Sequence, residues 1–419
     1  MRIQVEGRHA LNGNWQPSGN PNAALALLAA ALLGEHPVTL GNMPETASTA
    51  RLVELAEWLG ATITRDSATQ LQACAGQLSR RTLGQEELDR VGAILLLAPL
   101  LKHCQYVRLE SDALGSRFLT HLDALRDLGQ DVLMLHGAAE IRAVPWKQHE
   151  ILLGSASVTA TGIVLMLAAT LGRQTIIHNA ASEPHVQALC HLLQSMGAQI
   201  SGVGSNLLTV RGCSSLNGAT ACIRPNHVET ASIAAIAALC GGRVTLRGVR
   251  RKDLRMIARI YQQLGIHLDL DEDVLFVPRH EQLTLRDRAG NVETRVESAI
   301  WPGFPSDLIA MATVAATQAR GTTLIHEKLF NNRLLFVDRL KAMGAQIVLC
   351  DPHRAIVVGP APLYGGYMAT PDIRAGLGML AAALVAEGRS TIDNAQAIEH
   401  HFGAVFSKLQ ALGAQITIE

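Results

Sequence analysis

Apolar and polar positions along the chain follow a pattern that returns six times. The phrases LAEWLGATI, LRDLGQDV, LLQSMGAQI, YQQLGIHL, LKAMGAQIV and LQALGAQITI each space apolar residues by three and four, then place a glycine, then a short alternating run. The glycines are Gly60, Gly129, Gly197, Gly265, Gly344 and Gly413, 68 to 79 residues apart. Apolar residues at that spacing share one face of a helix, and a glycine just past the last of them supplies the left-handed residue that closes it. The alternation that follows predicts a strand.

Upstream of most of these glycines lies a run of small and apolar residues, such as NAALALLAAALL, VTATGIVLMLAATL, ETASIAAIAALC or DLIAMATVAATQA. A Gly-containing turn and an alternating strand follow, as in HPVTLGNM, RQTIIHNA, GRVTLRGV, GTTLIHEK and RSTIDNA. A helix that is apolar nearly all round has no face for water, so these helices are predicted to be internal, with the amphipathic helices over them. At 419 residues the chain is too long for one ordinary core, which divides the six units into two sets of three. Arg211–His227, with its Gly, Ser, Asn and Pro residues, is the expected linker. Met1–Gln16 reads as a first strand, and a second crossing near Gly19–Asn22 is needed if that strand pairs with the last unit.

Composition narrows the function classes. With 48% hydrophobic and 17% charged residues the chain is an ordered, Ala/Leu-rich protein. Lys plus Arg equals Asp plus Glu at 36 each, so no basic field marks a nucleic-acid partner. The longest apolar run, Ala23–Leu33, is about half of a membrane span, and Met1–Gln16 has no apolar leader core, so no membrane partner and a cytoplasmic location are expected. The seven cysteines form no CxxC pair or metal spacing and are expected to be reduced and mostly buried, Cys104, Cys190 and Cys240 among them.

Seven short motifs follow one another along the chain: SGNPNAA, SVTAT, NAASEP, PNHVET, GFPSD, FNNR and MATPDIRA. Through them the whole chain resembles the enolpyruvyl transferase family, and looks closer to UDP-N-acetylglucosamine enolpyruvyl transferase than to 5-enolpyruvylshikimate-3-phosphate synthase. The resemblance implies a two-domain inside-out α/β fold of six strand/helix repeats, three per domain. The domains would be residues 21–227, carrying a mobile loop near 109–118, and residues 1–20 joined to 228–419, with substrates in a cleft that closes over them. It also implies transfer of a carboxyvinyl group from phosphoenolpyruvate to a hydroxyl of a nucleotide sugar such as UDP-N-acetylglucosamine, or of a related acceptor, without a cofactor or metal.

Such a reaction needs an acid for the methylene carbon, a base for the hydroxyl, and cations for a carboxylate and a phosphate. By resemblance Asp307 of GFPSD is the base or substrate anchor, although an Asp before LIAMATVAA also reads as a helix N-cap. Arg333 of FNNR and Asp372 and Arg374 of PDIRA match the phosphoenolpyruvate pocket. In the loop ESDALGSR, Asp112 stands where the family usually has Cys and is the candidate acid, with Arg117 matching the loop's Arg. Fosfomycin, which inactivates Cys-bearing members covalently, is therefore expected to fail. Asn22, His121, Ser157 and Val158 match further substrate-binding positions, and His400 or His401 stands where the family has an Arg.

Several cations of the family pattern are replaced. Pro21 stands for a Lys, Val91 beside Arg90 for an Arg, the position near Ser155 for a Lys, and Thr159 for a Gly. Arg51, Arg90, Lys102, Arg108 and Lys328 are the candidate cations for compensation, and their spacing singles out none of them. Three readings follow: an active enolpyruvyl transferase with a specialised acceptor, a diverged paralogue with other chemistry on the same scaffold, and a silent ligand-binding protein.

Overall fold

The computed structural model describes residues 1–286, 293–369 and 373–419, with residues 116, 293, 373 and 374 described by their backbone alone. The chain forms two compact units, Gly19–Arg224 and Met1–Ser18 with Pro225–Glu419. Each has its own hydrophobic core.

Among the described residues the strands form six sheets, three in each unit, and one pattern recurs. In the sheet ordered Ala219–Cys222, Val38–Gly41, Gln70–Cys74 and Thr62–Ser67, the first pair is parallel and the next two are antiparallel. The sheets built around Tyr106–Glu110 and Gly172–His178 repeat this arrangement. In the other unit it recurs around Arg243–Arg247 and around Ala319–His326, which also pairs with Glu293–Glu297. The last sheet is completed by the N-terminus: Ile3–Glu6 lies between Arg389–Asp393 and Gln415–Ile418, antiparallel to both.

Two sequence expectations are corrected here. Met1–Gln16 is two strands, not one, because the chain turns at Gly7 and Arg8, where φ is +61°. The second strand, Asn12–Trp15, joins a different sheet, parallel to Arg243–Arg247. Arg211–His227 is not a free linker either, since Ala219–Cys222 is a sheet strand and only the step at Arg224 and Pro225 changes unit. The backbone is tied at both crossings: Asn20 N–H donates to Arg224 O at 2.8 Å in one unit, and Asn226 N–H to Ser18 O at 2.8 Å in the other.

The small-residue helices are internal. Pro21–Ala31 and Val158–Thr170 bury nearly every residue from the first turn on, as do His227–Leu239 and Ile309–Gln318 in the second unit. A fully buried Leu contributes roughly 2 kcal/mol, so helices without a polar face are stable only where all sides are covered. The helix Ala47–Leu59 buries Leu52, Val53, Leu55, Ala56 and Leu59 and leaves its opposite face to water, as its periodicity predicts. All six repeat glycines have φ between +82° and +116°. At Gly60 the constraint is also steric, because a Cβ there would lie 2.2 Å from Gln77 O.

The cysteines depart from expectation. All are reduced, but only Cys104 and Cys190 are buried, Cys240 is half-buried, and Cys222 and Cys350 are exposed on strands that turn one face to water. Burial pushes the Cys190 and Cys240 thiols up to about 12, which keeps them protonated and unreactive. No helix of the described residues is long and apolar enough to cross a membrane.

Candidate functional site

In the unit Met1–Ser18 with Pro225–Glu419, a tight turn precedes the internal helix Ile309–Gln318. Gly303 N–H donates to Ile300 O at 2.8 Å and Ala299 N–H to Phe304 O at 3.0 Å, after which Ser306–Leu308 forms one 3₁₀ turn. Asp307 lies inside that turn, and Pro305 holds the N-cap position, so the N-cap reading of Asp307 is not realised. Its carboxylate receives Arg333 Nη1 at 3.3 Å, with the Asp side chain 40% exposed and the Arg side chain 10% exposed. The Arg333 guanidinium also lies over the Phe330 ring at 4.4 Å. A carboxylate open to solvent beside a nearly buried guanidinium can take a proton from a hydroxyl while the cation holds a neighbouring anion.

Two residues that sequence reasoning passed over frame this pair. His227 is the first residue of its helix, buried, with its ring edge-on to Trp301 at 5.6 Å between centroids. Burial pushes its imidazole below the ordinary value, with Asp253 and then Asp307 pulling the other way, so it stands neutral at neutral pH. Glu327 has no exposed surface, and its carboxylate accepts four hydrogen bonds from the turn and the loop around Asp307 and Arg333. His227 stands in PNHVET, a motif that carried the resemblance without marking the histidine; Glu327 follows the alternating strand Ala319–His326, where nothing local marks it as buried.

Asp372 lies outside the described residues, and Arg374 is described only as backbone in the helix Ile373–Val385. His400 is exposed on Gln396–Phe402, and its neighbour His401 meets Phe402 edge-on at 4.8 Å.

In the unit Gly19–Arg224, helix starts gather most of the remaining residues. Asn20 caps Pro21–Ala31 by accepting from Ala23 N–H at 3.0 Å, and Pro21 occupies the first helical position, where a missing N–H costs nothing. Asn22 follows in the first turn, half-buried. Ser157 caps Val158–Thr170 by accepting from Ala160 N–H at 3.3 Å. Thr159, in that first turn, meets His121 Nε2 at 2.7 Å, which brings His121, Ser157 and Val158 together. Burial pushes the His121 imidazole down to about 4, so the ring is a neutral hydrogen-bonding group and supplies no cation.

The 109–118 segment is built on three buried apolar anchors, Leu109, Leu114 and Phe118. Ser111 N–H donates to Gly137 O at 3.0 Å, and Ser111 Oγ accepts from Ala113 N–H at 3.1 Å, which leaves Asp112 exposed at the turn. Arg117 ends the short helix Leu114–Arg117 and pairs with Asp89 at 2.5 Å. Arg90 lies in a bend and Val91 in a turn, neither of them in a helix. Three of the compensating cations are already in ion pairs: Arg90 with Glu86, Arg108 with Glu110 and Glu140, and Lys328 with Glu297.

Residues 5–409 match the family described as EPSP synthase (3-phosphoshikimate 1-carboxyvinyltransferase). The chain belongs to this enolpyruvyl transferase family. Among its relatives, a UDP-N-acetylglucosamine 1-carboxyvinyltransferase of Bradyrhizobium diazoefficiens is 44% identical, over 98% of this chain and 96% of the relative. One of the same name from Treponema denticola is 38% identical, over 99% and 98%. Among solved structures, the enolpyruvyl transferase NikO of Streptomyces tendae superposes with a TM-score of 0.88 at 22% identity, covering 99% of this chain and 98% of that one. EPSP synthase of Acinetobacter baumannii superposes with 0.76 at 16% identity, covering 100% of both chains. The fold is therefore the two-domain inside-out α/β fold of the enolpyruvyl transferases.

Proposed function

We propose that the chain moves the carboxyvinyl group of phosphoenolpyruvate onto a hydroxyl of a nucleotide sugar, UDP-N-acetylglucosamine or a related acceptor. The observation that carries this reading is the Asp307–Arg333 pair, in a chain whose full-length relatives bear the name UDP-N-acetylglucosamine 1-carboxyvinyltransferase. Asp307 takes the acceptor's hydroxyl proton as its oxygen attacks C2 of phosphoenolpyruvate, and Asp112 gives a proton to the methylene carbon C3. The tetrahedral adduct then loses a C3 proton and phosphate, which regenerates the vinyl group on the acceptor oxygen. Arg333 holds an anionic group of phosphoenolpyruvate, with Asp372, Arg374 and His400 assigned to the same pocket. Asn22, Arg117, His121, Ser157 and Val158 bind the nucleotide sugar. Small molecules are the partners on this reading, and a cytoplasmic location goes with them.

Pro21 favours a second reading, a paralogue that binds a nucleotide sugar without turnover, because a proline offers neither charge nor donor at a position where the family resemblance leads one to expect Lys. The deciding experiment is phosphate release from phosphoenolpyruvate across a panel of nucleotide sugars and nucleosides, with mass spectrometry for a carboxyvinyl product. Product lost in D307A and D112A supports transfer. Ligand binding with no phosphate release on any acceptor leaves the silent binder.

A further inference from the structure

We propose that Glu327 is a positioning residue that sets the Asp307–Arg333 pair for the transfer reaction; the inference rests on the reading of that pair given above. Glu327, Ser298 and Ser306 are all buried, and Glu327 has no exposed surface. Glu327 Oε2 accepts from Ser306 Oγ at 2.6 Å, and Ser306 is the residue immediately before Asp307. Glu327 Oε1 accepts from Ser298 Oγ at 2.8 Å, from Leu329 N–H at 2.8 Å and from Phe330 N–H at 3.2 Å. Phe330 is the ring on which the Arg333 guanidinium rests. One carboxylate therefore spans the turn that carries Asp307, the end of the strand Glu293–Glu297, and the loop that carries Arg333.

Its own backbone is held as firmly. Glu327 N–H donates to His353 O at 2.8 Å, the His353 ring meets Glu327 O at 3.0 Å, and Ser298 Oγ accepts Lys328 N–H at 2.8 Å. A buried carboxylate is costly unless its lone pairs are met, and here four donors meet them. A carboxylate, with about four acceptor sites, serves all these donors at once. Hydrophobic packing alone would fill the same volume without tying the Asp307 turn to the Arg333 loop.

The variants separate positioning from folding. Glu327→Gln keeps Oε1 for its three donors and turns Nε2 toward the Ser306 hydroxyl, which accepts it, so it is the conservative variant. Ser306→Ala cuts the link to the Asp307 turn and leaves the Arg333 loop tied. The expected result, in the full chain with phosphoenolpyruvate and its acceptor, is a fall in kcat of roughly tenfold to a hundredfold for S306A, the scale of an ångström-level misplacement. E327Q retains most of the activity and melts close to the parent, whereas S306A, which takes the Ser306 donor from Oε2, melts lower but stays folded at the assay temperature. S306A combined with D307N is expected to be no slower than D307N alone, because the first acts through the second. An active parent whose S306A variant matches it overturns the inference and leaves the transfer reading standing, as does an S306A loss that tracks unfolding and multiplies independently with D307N. A parent with neither turnover nor phosphoenolpyruvate binding overturns the transfer reading, and this inference with it.

Discussion

Arg333 reaches Asp307 from 26 positions further along the chain, Nη1 to Oδ1 at 3.3 Å, with the guanidinium nearly buried and the carboxylate open to solvent. A pair so exposed on one side contributes about 0–1 kcal/mol to stability, so its value lies in chemistry. D307N is expected to melt with the parent and to lose turnover by about 10²- to 10⁴-fold, the range of a removed general base. R333A is expected to raise KM for phosphoenolpyruvate roughly tenfold to a hundredfold, the equivalent of one charge-assisted contact. Steady-state kinetics beside thermal melts check both; a D307N enzyme at parental rate would remove Asp307 from the mechanism.

The loop residue at position 112 decides sensitivity to fosfomycin. Asp112 is exposed at its turn and offers no thiol, so incubation with fosfomycin is expected to leave the intact mass unchanged in that loop. D112C restores a nucleophile at the same backbone position and is expected to acquire a covalent adduct mapped to residues 109–118 by peptide mass spectrometry. An adduct on the parent at Cys222 or Cys350, the exposed thiols, would show reactivity elsewhere and leave the loop prediction open to the same peptide map.

His121 makes stability depend on pH. Its imidazole is pushed by burial from an ordinary 6.5 to about 4, so below pH 6.5 the unfolded chain takes up a proton that the folded chain refuses until about pH 4. The contribution is fully present above pH 6.5 and is lost as pH falls through that window, at most about 3 kcal/mol for a group so placed. H121Q keeps a partner for Thr159 and is expected to flatten the fall in melting temperature between about pH 7 and pH 4.5. Parallel curves for parent and variant would contradict it.

Glu229 anchors the chain next to the crossing at Ser18. Its buried carboxylate accepts from Trp15 Nε1 at 3.0 Å and from Ser18 N–H at 3.0 Å, and Lys408 Nζ lies 3.8 Å away. Burial pushes the Glu229 carboxyl up, with Lys408 opposing. K408M leaves that charge without its cation and is expected to cost about 3 kcal/mol at neutral pH. Because a raised carboxyl is easier to keep folded when protonated, the loss should shrink as pH falls; chemical denaturation of K408M at two pH values tests the sign.

Much of the fold was legible because its signals are local. A helix that ends needs a left-handed residue, so the glycines at 60, 129, 197, 265, 344 and 413 mark the same backbone event, and each has positive φ. Asn20, Ser157 and Asn226 cap their helices through side chains within three residues, which a sequence motif can encode. The candidate site was legible as motifs and no further: GFPSD and FNNR name Asp307 and Arg333, but the distance between them depends on how strands far apart in sequence pair.

The sequence by itself determined the repeat, the internal character of the small-residue helices and the residue types available for chemistry, because these follow from spacing and side-chain volume. Tertiary structure decided that Ile3–Glu6 completes the sheet of the last repeat, that Ala219–Cys222 is a strand and not a linker, and that Glu327 is buried beneath Asp307 and Arg333. Pairing register and burial depend on which distant segment arrives as a neighbour, and no local pattern of polar and apolar residues carries that information.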